Sequence, residues 1–134
     1  MPEHGRCALL VEDEALVAMV AADALDEMGY QVIEAASATL ALQLAEINKH
    51  RINVALVDLG LPDRPGEQLV GELRSLYPRM PIIVASGRGV GGIDPSVQSL
   101  DDIIILPKPY NFQDLQSALA RLQGDLSSGR PGRA

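Results

Sequence analysis

The sequence predicts one α/β domain, a three-layer α/β/α arrangement in which helices cover both faces of a five-stranded parallel sheet. Short apolar runs of β type alternate five times with segments of helical period. The middle runs are apolar throughout, as strands covered on both faces must be. A chain of 134 residues, 47% of them hydrophobic, supplies one packed core and too little material for two.

The first strand is expected at Cys7 to Val11, followed by a helix from about Glu14 to Met28. That helix turns Val17, Val20, Ala21, Ala24 and Met28 inward and stops at Gly29. The second strand falls at Gln31 to Ala35, and Ser37 is the expected N-cap of a helix whose core positions are Leu40, Leu44 and Ile47. The third strand, Asn53 to Val57, precedes a helix with Leu69, Val70, Leu73 and Leu76 inward, ended by Pro78. After the fourth strand, Pro81 to Ala85, the glycine-rich stretch Gly87 to Gly92 delays any helix until Pro95 and leaves about two turns for it, so a mobile loop with a shortened helix is expected. The fifth strand is Ile103 to Leu106. Asn111 caps a last helix with a core stripe of Leu115, Ala118, Leu119 and Leu122. The Gly, Ser and Arg residues from Gly124 to Ala134 read as a flexible tail, so the domain is assigned to 1–123.

A formal charge of −7 with scattered Lys and Arg excludes a nucleic-acid surface and suits a cation or a basic partner patch. No apolar run reaches the roughly 18 to 20 residues that span a bilayer, and Met1 to Cys7 has no secretory h-region, so a soluble, cytoplasmic chain is expected. The lone Cys7 reads as a buried strand residue. His4 and His50 are isolated and are not assigned to a metal.

In sheets of this kind ligands bind beyond the carboxyl ends of the strands. There the first strand ends in Glu12, Asp13 and Glu14, the third in Asp58, the fourth in Ser86 and the fifth in Lys108. If Glu12, Asp13 and Asp58 converge within about 4 Å, each like-charge pair costs on the order of 4 kcal/mol at an effective dielectric of about 20. A hard divalent cation such as Mg²⁺ offsets that cost and keeps positions open for phosphate oxygens. With Lys108 as a second positive charge, the pocket is suited to bring a phosphoryl group to the Asp58 carboxylate. Glu14 is read only as a favourable charge at a helix N-terminus.

Four motifs occur in order: Val11-Glu12-Asp13-Glu14; Leu56 to Pro62 with Gly66 eight residues after Asp58; Ser86; and Leu106-Pro107-Lys108-Pro109. Together they resemble the receiver domain of two-component response regulators over about Arg6 to Gln123. The resemblance implies a flavodoxin-like fold with strand order 2-1-3-4-5 and a phosphoryl group accepted by Asp58 from a histidine kinase or histidine phosphotransfer protein. It further implies Mg²⁺ held by Asp13, Asp58 and the Gly60 carbonyl, with Glu12 acting directly or through water. Lys108 and the Ser86 hydroxyl are implied as phosphoryl-binding switch residues, backbone N–H groups of Gly60 and Gly87 as the rest of the cradle, and the bond into Pro109 as cis. Output goes to a downstream protein target, and a second copy of the chain is a further candidate partner.

Two features depart from the family. The position three residues before Lys108, where receivers usually carry a Tyr or Phe switch, is Ile105, and the segment after Ser86 is rich in glycine. The expectation is a stand-alone phosphorelay receiver, a switch and not a turnover enzyme, with partner docking on the apolar outer side of the first helix at Leu16 and Met19. The alternatives are a phosphorylation-independent pseudo-receiver or flavodoxin-like binding module, and a phosphohydrolase of the haloacid dehalogenase type. The last requires a second Asp where this chain has Gly60.

Overall fold

A computed structural model of the chain describes residues 6–87, 93, 95–98 and 102–127. The elements run β1 (Arg6–Val11), α1 (Ala15–Glu27), β2 (Tyr30–Ala35), α2 (Ala38–Ile47), β3 (Val54–Asp58), α3 (Gly66–Leu76), β4 (Ile82–Ser86), α4 (Pro95–Gln98), β5 (Ile103–Pro107) and α5 (Phe112–Ser127). The strands form one parallel sheet in the order β2-β1-β3-β4-β5.

Alternation along β1 sends its side chains to two separate cores. Leu9 and Val11 join α2, α3 and α4 on one face, while Ala8 and Leu10 join α1 and α5 on the other. This two-sided burial is why β1, β3 and β4 are apolar almost without interruption.

Two helix faces differ from the expectation. In α1 the buried residues are Ala18, Ala21, Ala24 and Leu25, and Val20 is 58% exposed. In α2 they are Ala38, Ala41 and Ala45, with Leu44 half-buried, Leu40 at the surface and Ile47 76% exposed. Both helices carry large and small apolar residues on adjoining stripes, and the small residues face the sheet, where they let the helix lie close to it. In α3, Leu69, Val70 and Leu73 are buried as expected, but Leu76 lies exposed at the helix end. The α5 stripe of Leu115, Ala118, Leu119 and Leu122 is buried as read from the sequence.

The expected helix ends are present. Leu40 N–H donates to Ser37 Oγ at 3.2 Å, Asn111 and Asp114 cap each other reciprocally, and Gly29 takes φ +93° after α1. Among the described residues α4 covers Pro95–Gln98, beginning at the expected Pro95. The glycine-rich segment between Gly87 and Ile93 lies outside the described residues, as does His4. The α5 helix continues past Gly124 to Ser127, since one glycine costs a helix only about 1 kcal/mol unless it adopts positive φ; the rest of the expected tail is outside the described residues. Cys7 is buried in β1, and burial pushes its thiol pKa up despite the opposing charge of Arg51.

Candidate functional site

The sheet delivers the site. Beyond the strands, Glu12 N–H donates to Ala35 O at 3.0 Å, Leu59 N–H to Ala85 O at 3.1 Å and Lys108 N–H to Ser86 O at 2.8 Å. These ladder bonds fix the backbone at the three strand ends that carry Glu12, Asp58 and Lys108. Among the described residues the buried polar side chains are Glu12, Asp58 and Ser86. All three were singled out from the sequence, and each follows or ends a strand on the same edge.

Lys108 Nζ lies 2.9 Å from Asp58 Oδ1 and 3.6 Å from both Glu12 Oε1 and Glu14 Oε1. Gly60 N–H donates to Asp58 Oδ2 at 3.2 Å, and Glu14 N–H donates to Glu12 Oε2 at 3.1 Å. One oxygen each from Glu12, Asp13 and Asp58 lies within 4.8 Å of the others, with Asp13 on the solvent side. Burial pushes the Glu12 carboxyl above its ordinary range, and the neighbouring Asp58 and Asp13 add to this, against the Glu14 N–H and Lys108. Burial alone would lower the Lys108 ammonium, but its bond to Asp58 and the charges of Asp58, Glu12 and Glu14 outweigh it and raise the pKa. Three hard carboxylate donors, one open to water, form a set that fits Mg²⁺.

Several assignments need adjustment. Glu14 is no mere helix-end charge, because it shares Lys108 with the buried acids. A Cβ at Gly60 would meet Asp58 Oδ2 at an ordinary 3.5 Å, and one at Gly87 would meet none of the described residues within 4 Å. Close packing within the chain does demand glycine at Gly66, where a Cβ would overlap Leu59 Cα. Ile105 is half-buried and packs on the core beneath α2, α3 and α4. The Lys108–Pro109 bond is cis.

Residues 8–120 match the response regulator receiver domain family. The chain belongs to that family. Receivers are signalling switches of two-component systems, and they bind Mg²⁺ in an acidic pocket of the kind formed here by Glu12, Asp13 and Asp58. This receiver is 33% identical to the two-component response regulator PhoP of Pseudomonas aeruginosa over 85% of its own length and 50% of that protein. It is 32% identical to the sensor kinase CckA of Brucella abortus over 85% of its length but only 12% of that protein. The chain therefore spans half or less of these relatives. Among solved structures, the CheY-like receiver of Methylobacillus flagellatus superposes with a TM-score of 0.75 at 28% identity, covering 87% of this chain and 98% of that one. The receiver of the hybrid histidine kinase CckA gives 0.72 at 30% identity, covering 87% and 97%.

Two residues of this receiver escaped the sequence reading. Tyr110 is half-buried beside the site, and its pKa is pushed up to about 12 by burial first and by the acids Glu12 and Asp58, against Lys108. Its position two residues after the lysine was the available signal. Asp63, in the loop after β3, bonds to α2, and no local pattern announces a partner so far along the chain. Tyr110 also lines a groove of about 460 Å³ with Glu14, Leu16, Val17, Val20, Lys108 and Pro109. Among the described residues no helix is long and apolar enough to cross a membrane.

Proposed function

We propose that this chain is a phospho-accepting receiver of a two-component phosphorelay that takes its phosphoryl group on Asp58. The observation that carries the reading is the buried Asp58 carboxylate held by Lys108 at 2.9 Å beside two further acids. Buried like charges of this kind are arranged for a cation and a phosphoryl group, not for stability.

In this reading the donor is a phosphohistidine on a histidine kinase or phosphotransfer protein. An Asp58 oxygen attacks phosphorus in line while the bond to the imidazole nitrogen breaks, so the group moves without other chemistry. Asp13, Asp58 and the Gly60 carbonyl would hold Mg²⁺, with Glu12 acting directly or through water. Bound there, the ion supplies the countercharge that lets an anionic phosphoryl group approach a carboxylate. Lys108 moves its ammonium from the Asp58 carboxylate to the phosphoryl oxygens, and the Ser86 hydroxyl and the Gly87 N–H offer further donors. The chain acts in the cytoplasm through protein contacts, with a downstream protein target and a second copy of itself as candidate partners. It promotes only its own phosphorylation and dephosphorylation.

The donor docks on α1. Leu16, Met19 and Val20 are 75%, 58% and 58% exposed, and the groove beside them opens onto Lys108. Met19→Glu is expected to slow transfer from a phosphorylated histidine donor by about tenfold, roughly 1.4 kcal/mol, while leaving uptake from a small acyl phosphate unchanged. Transfer in Mg²⁺ that a chelator stops supports the phosphorelay reading, and transfer insensitive to chelation counts against it. An unchanged rate for Met19→Glu removes the docking assignment alone.

A further inference from the structure

The loop between β3 and α3 carries Gly60, and its far end is fixed by Gly66, whose N–H donates to Leu59 O at 3.0 Å. Arg64 pairs with Glu72 of α3 at 3.1 Å. Asp63 reaches out of the loop altogether. Its Oδ1 accepts the Ala38 N–H at 2.9 Å, and its Oδ2 accepts both the Thr39 N–H and the Thr39 hydroxyl at 2.9 Å. All three donors belong to the first turn of α2. The Ala38 and Thr39 N–H groups hold the Asp63 carboxyl down to about 2, so the tether is charged throughout the physiological range.

The helix already has its own cap, because Ser37 Oγ accepts the Leu40 N–H. Asp63 takes the two N–H groups Ser37 leaves, and both its oxygens are used in doing so. It is therefore turned toward α2 and is not one of the acids gathered at the site, Glu12, Asp13 and Asp58. Its bonds span 24 and 25 residues of chain, which ties the segment just after Gly60 to the helix that packs over β1 and β2 beside α3.

We propose that Asp63 is a positioning residue for the cation site: by lashing the β3–α3 loop to the N-terminus of α2, it fixes where the Gly60 carbonyl stands relative to Asp13 and Asp58. The inference rests on the receiver reading of that site. A ligand supplied by backbone has no rotamer with which to adjust, so its placement depends on what holds the loop. Residues that orient ligands from outside typically govern metal affinity by about 10- to 100-fold.

The test uses the full chain as wild type, Asp63→Ala, Asp63→Asn and Ser37→Ala, titrated with Mg²⁺ alone while the amide resonances from Asp58 to Leu61 are followed. Amide hydrogen exchange at Gly60 and Leu61 is read in the metal-free proteins. Asp63→Ala is expected to weaken Mg²⁺ about tenfold and to speed exchange at both amides; Asp63→Asn, which keeps one acceptor oxygen, is expected to weaken it about threefold. Ser37→Ala removes a cap from the same helix without touching the loop, and its Mg²⁺ affinity stays within about twofold of wild type. Equal losses in Ser37→Ala and Asp63→Ala, or wild-type affinity in both Asp63 variants, overturn the proposal. Should Asp63→Ala not fold, Asp63→Asn against Ser37→Ala decides alone. A wild-type chain that binds no Mg²⁺ removes the receiver reading and the inference together, whereas normal wild-type binding with unaffected Asp63 variants removes only the inference.

Discussion

Gly66→Ala is expected to destabilise the fold by about 3 kcal/mol or more, read as a shift in urea unfolding midpoint. The added Cβ would fall 2.4 Å from Leu59 Cα, 2.8 Å from Asp58 O and 2.9 Å from Leu59 C. All three are backbone atoms, so no side chain can rotate away. Relief requires displacing either the start of α3 or the strand end that presents Asp58, and the loop bearing Gly60 moves with whichever gives. Gly71, in the same helix, is the control. A Cβ there meets nothing within 4 Å, and Gly71→Ala is expected to stabilise by about 0.5 to 1 kcal/mol. Equal effects at the two positions would mean that α3 is not seated against β3 as described.

Lys108→Ala has the other large consequence, and it falls on stability before it falls on signalling. The Lys108 side chain is 19% exposed and faces Asp58 and Glu12, whose side chains are 6% and 2% exposed, with Glu14 sharing it from the surface. Removing it leaves buried acids with no countercharge, which costs about 3 kcal/mol and lowers the metal-free melting temperature by about 10 °C. Glu12, whose carboxyl burial already holds above its ordinary range, then binds its proton more tightly in the folded variant than in the unfolded chain. The variant's stability therefore falls as pH rises through the raised Glu12 pKa, and the deficit is largest at neutral pH and smallest near about pH 4. Mg²⁺ replaces the lost charge, so it should raise the melting temperature of Lys108→Ala more than that of the wild type. Thermal melts at two pH values, with and without Mg²⁺, read all of this. A variant as stable as wild type without metal would show that the acids do not need Lys108.

The strands were legible because burial on both faces leaves a run such as Val54 to Val57 or Ile82 to Ala85 no polar position. The site was legible for the converse reason, since Glu12, Asp58, Ser86 and Lys108 interrupt or follow those runs at ends that a parallel sheet must bring to one edge. The inward stripes of α1 and α2 were only partly legible: Ala21 and Ala24 of α1 are buried as expected, whereas Val20 and, in α2, Leu40 and Ile47 lie at the surface. Leucines and alanines there share a period, and the choice between them depends on how closely the helix approaches the sheet. Close approach itself is a three-dimensional fact: Gly66 was marked only by its spacing from Asp58, and its reason lies in the Leu59 backbone. Nothing local in the sequence marks Asp63, because its partners stand 24 and 25 residues away.

The most direct trial is to incubate the chain with a small acyl phosphate and Mg²⁺, weigh the intact protein, and map the modified peptide. One added phosphoryl group on wild type, located at Asp58, lost on chelation and missing from Asp58→Asn, is the predicted result. An unchanged wild-type mass, or the same gain in Asp58→Asn, would contradict the assignment of Asp58 as the acceptor.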